Sequence, residues 1–192
     1  MNHSKSKIYY YIAYALMAAL ICIFAPMSVP IGPIPISLTT FILYFSIFII
    51  GTRGSLLSFI VYMLLGIAGL PVFSGYMGGI AKVAGPTGGY LLGFIPMILI
   101  MGLAYEKLEL GKEKGVIGVV ITFSGMLLGT LVAYAFGTLW FILQMKCDLP
   151  YALGVCVIPF IPFDIGKMVI ANFLGRAVRR PLLKQGLIEG RE

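Results

Sequence analysis

Charged and reactive side chains are scarce in this sequence, and each shortage excludes a class of function. Only 11% of the 192 residues are charged and 60% are hydrophobic, whereas a typical soluble domain is about a quarter charged. The single histidine is His3, and the three cysteines, Cys22, Cys147 and Cys156, lack the spacing of a metal site. We interpret them as small buried thiols. The mean hydropathy of +1.02 is that of a polytopic membrane protein.

Two further absences bear on catalysis. No GxxxxGK[ST] motif occurs, so the chain cannot bind ATP through a P-loop. A hydrolase needs an activated nucleophile and a base, but His3 lies in the N-terminal tail and Asp164 has no second carboxylate in an apolar segment. A Ser–Lys pair involving Lys167 is the enzymatic arrangement that remains.

A self-sufficient carrier or channel usually shows inverted repeats and rows of polar residues, and neither is visible here.

The apolar segments predict an all-α membrane protein with six transmembrane helices in one domain, residues 1–192. The first segment is not followed by an A-x-A-like cleavage site, so we interpret it as a span and not as a signal peptide. Pro162 is expected to start the last helix, because proline is favoured in a first turn. The predicted spans are Ile8–Met27, Ile36–Ile50, Ser55–Leu70, Tyr90–Leu103, Val116–Leu143 and 162–178.

The distribution of basic residues predicts the orientation. The formal charge is +7, but the Lys and Arg residues flank apolar segments and do not form the basic face of a nucleic-acid-binding protein. With the N-terminus inside, the inner segments hold eleven basic residues and the outer loops only Lys82 and Lys146. The positive-inside rule therefore places both termini in the cytoplasm. Residues 188–192 are left aside, because Ile188–Arg191 resembles a protease-cleavage linker used for expression.

An opposite pair of charges, Asp164 and Lys167, stands in the apolar stretch IPFDIGKMVI. Residues three apart share a helix face, and the positive N-terminus of a helix beginning near Pro162 favours Asp164 but not Lys167. Two interpretations stay open. The pair is a plain intrahelical ion pair, or it faces a cavity and binds a polar ligand, because charges in membrane segments are costly and usually functional.

A long glycine-rich segment, GLPVFSGYMGGIAKVAGPTGGY, is predicted to form an outer loop between the third and fourth spans. It has 22 residues, seven of them glycine. Loops of this length tend to be functional, and the amides of Gly88 and Gly89 precede a helix, where they could meet an anion. A flexible turn is the alternative.

Two patterns of small residues indicate close helix packing: Gly125, Gly129, Ala133 and Gly137 in the fifth span, and Ala15 with Ala19 in the first.

These motifs together resemble the BioY family, the biotin-binding components of energy-coupling factor (ECF) transporters. The resemblance covers nearly the whole chain and rests on GLPVFSGYMGG…GPTGGYLLGF at 69–94, IGTRG at 50–54 and PFDIGK at 162–167. One departure is Leu38-Thr39-Thr40, where the family often reads Leu-Gln-Thr. Any contact made by that glutamine is in doubt, although Thr39 keeps a hydroxyl.

The resemblance implies a high-affinity biotin site near the outer face, no catalysis and no cofactor. It also implies partners in the cell membrane, namely a transmembrane coupling subunit and two cytoplasmic ATPases. An Ala-x-x-x-Ala face on the first helix of such proteins meets the coupling subunit, and Ala15 and Ala19 match it. The alternatives are a binding component for another vitamin and a carrier that transports alone.

The chemistry of biotin matches the candidate residues. A ureido group has two N–H donors and one carbonyl, so Asp164 can accept and Lys167 can donate. Phe73 and Tyr90 can enclose the rings and the acyl chain. Thr87, Gly88 and Gly89 are the candidate contacts of the ligand at the loop. An ammonium suits a carboxylate as well as a carbonyl, so the orientation of the ligand stays open.

Overall fold

The computed structural model describes residues 3–109 and 116–184, and this part of the chain is mostly helical. The elements are α1 (His3–Phe24), β1 (Ser28–Val29), β2 (Ile36–Ser37), α2 (Thr39–Ile67), α3 (Ile80–Ala84), α4 (Gly88–Leu103), a π-helix (Ala104–Glu109), α5 (Val116–Met145), α6 (Leu149–Cys156) and α7 (Phe160–Lys184). Strands β1 and β2 pair antiparallel, with Ser28 opposite Ser37. Residues 188–192 lie outside the described residues.

Helix α2 reverses direction at Gly51. This residue has φ 69° and ψ −175°, a conformation that glycine alone adopts readily. Ser46 Oγ donates to Ser55 Oγ at 2.7 Å, although nine residues of straight helix would separate them by about 13.5 Å. The two arms, 39–50 and 52–67, therefore lie close together. The expected start of the second span at Ile36 is wrong, because Ile36 belongs to β2.

Two charged side chains hold this reversal from opposite sides. Glu106 Oε1 accepts the backbone N–H of Thr52 at 2.7 Å, at the start of the second arm. Arg179 Nη1 donates to the carbonyl of Phe48 at 2.6 Å, in the last turn of the first arm. A carboxylate thus faces a helix N-terminus and a guanidinium faces a C-terminus, as the helix dipole favours. We call the end of the bundle with Gly51 the turn end, and the end with β1, β2 and α3 the loop end.

Several predicted boundaries need correction. The last helix starts at Phe160, before Pro162, and continues past Val178 to Lys184. A separate helix, α6, precedes it, and the two are bent by 42° at their junction. The fourth span starts at Gly88 instead of Tyr90, and the first runs from His3 to Phe24. The separate helix α6 was not predicted. Proline is favoured in the first turn of any helix, and Leu149-Pro150 begins α6 in the same way as the expected start near Pro162.

By length and composition, three helices within the described residues are able to cross a membrane: Thr39–Ile67, Gly88–Glu106 and Val116–Met145. The bent pair Leu149–Cys156 and Phe160–Lys184 makes a fourth, and Ile8–Phe24 is a shorter apolar helix. Because Thr39–Ile67 folds back on itself at Gly51, it contributes two antiparallel arms to the bundle.

Helices α4 and α5 pack closely because glycines line their contact. A Cβ on Gly137 would lie 2.3 Å from the ring of Tyr90, and one on Gly129 would lie 2.9 Å from the carbonyl of Met97. The predicted packing role of the small residues in the fifth span is therefore confirmed. From the other helix, a Cβ on Gly89 would lie 2.2 Å from Cβ of Trp140.

Gly89→Val is expected to destabilise the protein strongly, by about 3 kcal/mol, because overpacking costs about 1–3 kcal/mol and the obstructing atoms here include the backbone oxygen of Phe136. Gly154→Ala is the matched control: a Cβ on Gly154, in α6, meets nothing within 4 Å, and alanine favours a helix over glycine. Thermal unfolding in detergent measures both. Equal melting temperatures for the two variants would contradict the α4–α5 contact described here.

Candidate binding site

A cavity of about 680 Å³, counting its open mouth, lies at the loop end of the bundle. Apolar and aromatic side chains form most of its wall, with hydroxyls and two charges at defined positions, as in small-molecule sites generally. Its lining includes Ile34, Pro35, Ser37, Thr39, Thr40, Tyr62, Phe73, Ser74, Thr87, Tyr90, Leu91, Phe94, Met97, Thr130, Ala133, Tyr134, Phe160, Asp164 and Lys167.

The charged pair belongs to this cavity. Lys167 Nζ lies 2.9 Å from Asp164 Oδ1, and the side chains are only 12% and 4% exposed, respectively. Both residues lie in the first two turns of α7, three positions apart, so they share a helix face. The residues form the intrahelical ion pair of the first interpretation and also line a cavity, as the second requires. Binding of a polar ligand by the pair stays a prediction.

Asp164 receives hydrogen bonds from three elements. Thr40 Oγ1 donates to Oδ1 at 3.1 Å, and Tyr134 OH donates to Oδ2 at 2.7 Å. With the ammonium of Lys167, Oδ1 accepts two bonds and Oδ2 accepts one. A carboxylate oxygen can accept about two bonds, so one acceptor position remains on Oδ2.

Lys167 uses all three of its N–H donors within the protein. They reach Asp164 Oδ1 at 2.9 Å, the carbonyl of Ser37 at 2.8 Å and Thr40 Oγ1 at 3.2 Å. An ammonium has three donors and no acceptor, so any further bond from Lys167 replaces one of these. The bond to Ser37 also holds strand β2 against α7 over the cavity.

The predicted loop residues divide into two groups. Phe73, Thr87 and Tyr90 line the cavity, and the hydroxyl of Thr87 is buried without a hydrogen-bond partner among the residues that the structure describes. Gly88 and Gly89 are not among the lining residues. They start α4 against Trp140, and the Gly88 N–H already donates to the carbonyl of Gly85 at 3.0 Å. Close packing is the physical reason for these two glycines in the structure.

The glycine-rich segment is folded and not merely a flexible turn. Phe73 and Met77 pair in an antiparallel bridge, and the ring of Phe73 is fully buried against Gly66 and Tyr62. Helix α3 occupies residues 80–84. This segment therefore has structure of its own and forms part of the cavity wall.

Several wall residues escaped the sequence analysis. Tyr134 comes from α5 and Thr40 from the start of α2, 30 and 124 residues from Asp164. Thr130, which also lines the cavity, is hydrogen-bonded through Oγ1 to Tyr44 OH at 2.6 Å. Thr39 faces the cavity and its hydroxyl bonds to Ser37 Oγ at 2.9 Å. A single sequence has no pattern that predicts a contact between a threonine and a carboxylate far away along the chain, so only the fold reveals these contacts.

Ala15 and Ala19 lie away from the cavity, on α1. Both are exposed on the helix surface, whereas the neighbouring Met17 and Ala18 are buried in the bundle. The opposite side of α1 is tied to the second arm of α2 by a hydrogen bond from Ser58 Oγ to the carbonyl of Tyr14 at 2.8 Å. The small-residue face is thus available to another helix.

The fold and the cavity define a class, that of a helical membrane protein with a cavity of small-molecule size whose wall carries one neutralised ion pair. Within residues 3–109 and 116–184, no three His, Cys, Asp or Glu side chains lie together as metal ligands would. The model of the BioY family matches residues 1–184. The chain belongs to the BioY family.

Individual relatives agree with this family. The chain is 35% identical to "Biotin transporter BioY" of Thermotoga maritima over 166 residues, which are 86% of this chain and 92% of that protein. It is 32% identical to "Biotin transporter BioY2" of Lactococcus lactis over 93% of this chain and 94% of that one. A crystal structure of the S-component for biotin from an ECF-type ABC transporter superposes with a TM-score of 0.81 at 27% identity, covering 94% and 95% of the two chains.

Proposed function

We propose that this chain is the high-affinity biotin-binding S component of an ECF-type importer. The observation that carries the proposal is the cavity at the loop end, whose apolar wall holds Asp164 with one free acceptor position. The names of the relatives, biotin transporters and a biotin S-component, support the same ligand.

The hydrogen bonds favour one orientation of biotin. Asp164 and Lys167 neutralise each other, so this end of the cavity attracts a neutral polar group more than a second carboxylate. A ureido N–H can donate to the free position on Asp164 Oδ2. The ligand carboxylate then points toward Thr87, whose buried hydroxyl has no protein partner. A buried unpaired hydroxyl costs free energy unless a ligand or water satisfies it.

The same proposal includes six spans with both termini in the cytoplasm. The spans are α1, the two arms of α2, α4, α5 and α7. Gly51 alone joins the two arms of α2. This arrangement puts Arg53, beside the Gly51 turn, on the same side as Arg176, Arg179 and Arg180 of α7. The positive-inside rule makes the turn end cytoplasmic and the cavity mouth external. Trp140 and Lys82 would then lie at the outer end.

A transmembrane coupling subunit and two cytoplasmic ATPases are the proposed partners. The chain contains no P-loop, so energy from ATP must come from other subunits. The exposed pair Ala15 and Ala19 is the proposed contact with the coupling subunit, because small residues let helix backbones approach closely.

Purified protein is expected to bind biotin in the nanomolar range without nucleotide. Tight binding of so small a molecule requires that a pocket enclose most of it, and the cavity at the loop end is the candidate pocket. Calorimetry against a panel of biotin, thiamine and riboflavin tests this, and the fluorescence of Trp140, the only tryptophan, gives a second signal. Affinity for biotin weaker than micromolar, or tighter binding of another vitamin, would overturn the proposal. Uptake of biotin by liposomes that contain only this chain would favour a self-sufficient carrier.

Ala15→Leu and Ala19→Leu are each expected to weaken assembly with the coupling subunit by about tenfold, because a leucine separates the two helix backbones. Biotin affinity should not change, since both residues are exposed and remote from the cavity. Ala177→Leu, an equivalent exposed change on α7, is the matched control. Co-purification of the complex is the measurement. Normal assembly of both α1 variants would assign the contact to another face.

A further inference from the structure

The segment after α2 carries an exposed apolar tip, formed by Tyr76, Met77 and Ile80. These side chains are 66%, 52% and 71% exposed. Nearby Lys82 turns its ammonium toward the sulfur of Met77, at 3.8 Å. We refer to the three apolar residues as the loop tip. Three large apolar side chains at the end of a fixed segment need an apolar environment to be stable.

The loop tip is held in place by backbone bonds. Phe73 N–H donates to the carbonyl of Met77 at 2.9 Å, and Gly79 N–H donates to the carbonyl of Gly66 at 2.7 Å. The second bond fastens the segment to the last turns of α2. Tyr76 has φ 57°, a left-handed conformation that is uncommon for tyrosine. Its ring is thereby directed outward at a conformational cost, while Phe73 is buried.

The loop tip follows the end of the second arm of α2, which carries an exposed apolar surface. Ile60, Val61, Leu64 and Ile67 are exposed along this arm, where a membrane protein meets the lipid chains. The bond from Gly79 to the carbonyl of Gly66 keeps the loop tip at the end of the same arm. Tyrosine and lysine are typical of the layer between lipid chains and water, and Tyr76 and Lys82 supply both.

We propose that the loop tip inserts into the interfacial layer of the lipid bilayer on the side of the cavity mouth. The lipid, and not a protein partner, covers Tyr76, Met77 and Ile80. Because Phe73 of the same segment forms part of the cavity wall, the bilayer braces one side of the binding site. This inference concerns the segment and the lipid, and it does not depend on which ligand the cavity takes.

Tryptophan fluorescence in liposomes tests the proposal. The full chain carrying Tyr76→Trp, Met77→Trp or Ile80→Trp is reconstituted in phosphatidylcholine that is brominated either near the headgroup end or near the methyl end of its chains. Ile60→Trp, in the middle of the exposed surface of α2, is the matched lipid-facing control, and the wild type gives the background from Trp140. Melting temperatures equal to the wild type show that each variant is folded.

Emission from the loop-tip variants is expected to be quenched by bromine near the headgroups more than by bromine near the methyl ends, and to be protected from iodide in the water. Ile60→Trp should show the opposite preference for bromine depth. Quenching of the loop-tip variants by iodide, with none by either brominated lipid, would place the loop tip in water and overturn the proposal, whatever the result of the biotin titration.

Discussion

Purified Asp164→Asn protein is expected to bind biotin about tenfold to a hundredfold more weakly than the wild type, a loss of about 1.5–3 kcal/mol. The exchange nearly conserves volume and removes the charge that strengthens a hydrogen bond from a ureido N–H. Thr40 bonds to Oδ1 and Tyr134 to Oδ2, so the single amide oxygen of asparagine can keep only one of these two bonds, while Lys167 keeps Thr40 and the carbonyl of Ser37. The dissociation constant from calorimetry is the measurement.

Tyr134→Phe is the matched variant for this prediction. It removes one donor to Asp164 Oδ2 and leaves the charge pair intact. Its loss of affinity should be smaller, because the carboxylate still accepts the ligand. If Asp164→Asn binds biotin as tightly as the wild type, the pair is structural, and the ligand contacts lie at Thr87 and its neighbours instead.

Lys167→Met is expected to lower stability more than affinity. All three N–H donors of Lys167 are used inside the protein, so its loss removes no direct contact with a ligand that bonds to Asp164. It does leave a carboxylate that is only 4% exposed without its counter-charge. Breaking a buried pair in this way costs about 3–5 kcal/mol. Thermal unfolding of the ligand-free protein, alongside the dissociation constant, measures the two effects separately.

The double variant Asp164→Asn with Lys167→Met controls for this explanation. It removes both charges, so stability should return toward that of the wild type while biotin binding stays weak, since neutral replacements of a buried pair are often tolerated. A double variant that is as unstable as Lys167→Met alone would show that the ammonium acts through Ser37 and Thr40, and not through its charge.

Apolar runs predicted most of the long helices, because the lipid selects long apolar segments and this signal is local. The place of Asp164 and Lys167 in a cavity wall was also predicted from a local signal, because charges in an apolar helix are costly and usually functional. Boundaries were less accurate where proline allowed several helix starts, as at Pro150 and Pro162.

Contacts between distant segments could not be predicted. A glycine pair at a helix start is compatible with anion binding and with close packing. The packing of Gly89 depends on Trp140, about fifty residues away, whereas Gly88 packs against the backbone of Val83. Tyr134 and Thr40 look like ordinary span residues until the fold brings them to Asp164. The residues that complete the site are therefore those whose role depends on a neighbour from another helix.

The contacts between α7 and the first arm of α2 restrict how these two helices can move relative to each other. Helix α7 is attached to the first arm of α2 at the turn end, through Arg179 and Phe48, and at the loop end, through Asp164 and Thr40. Close contact of Gly175 with the ring of Phe48 fills the space between. Sliding of one helix along the other by a single turn, about 5.4 Å, would break every one of these contacts. The two helices are therefore expected to resist sliding along each other and to move as one piece.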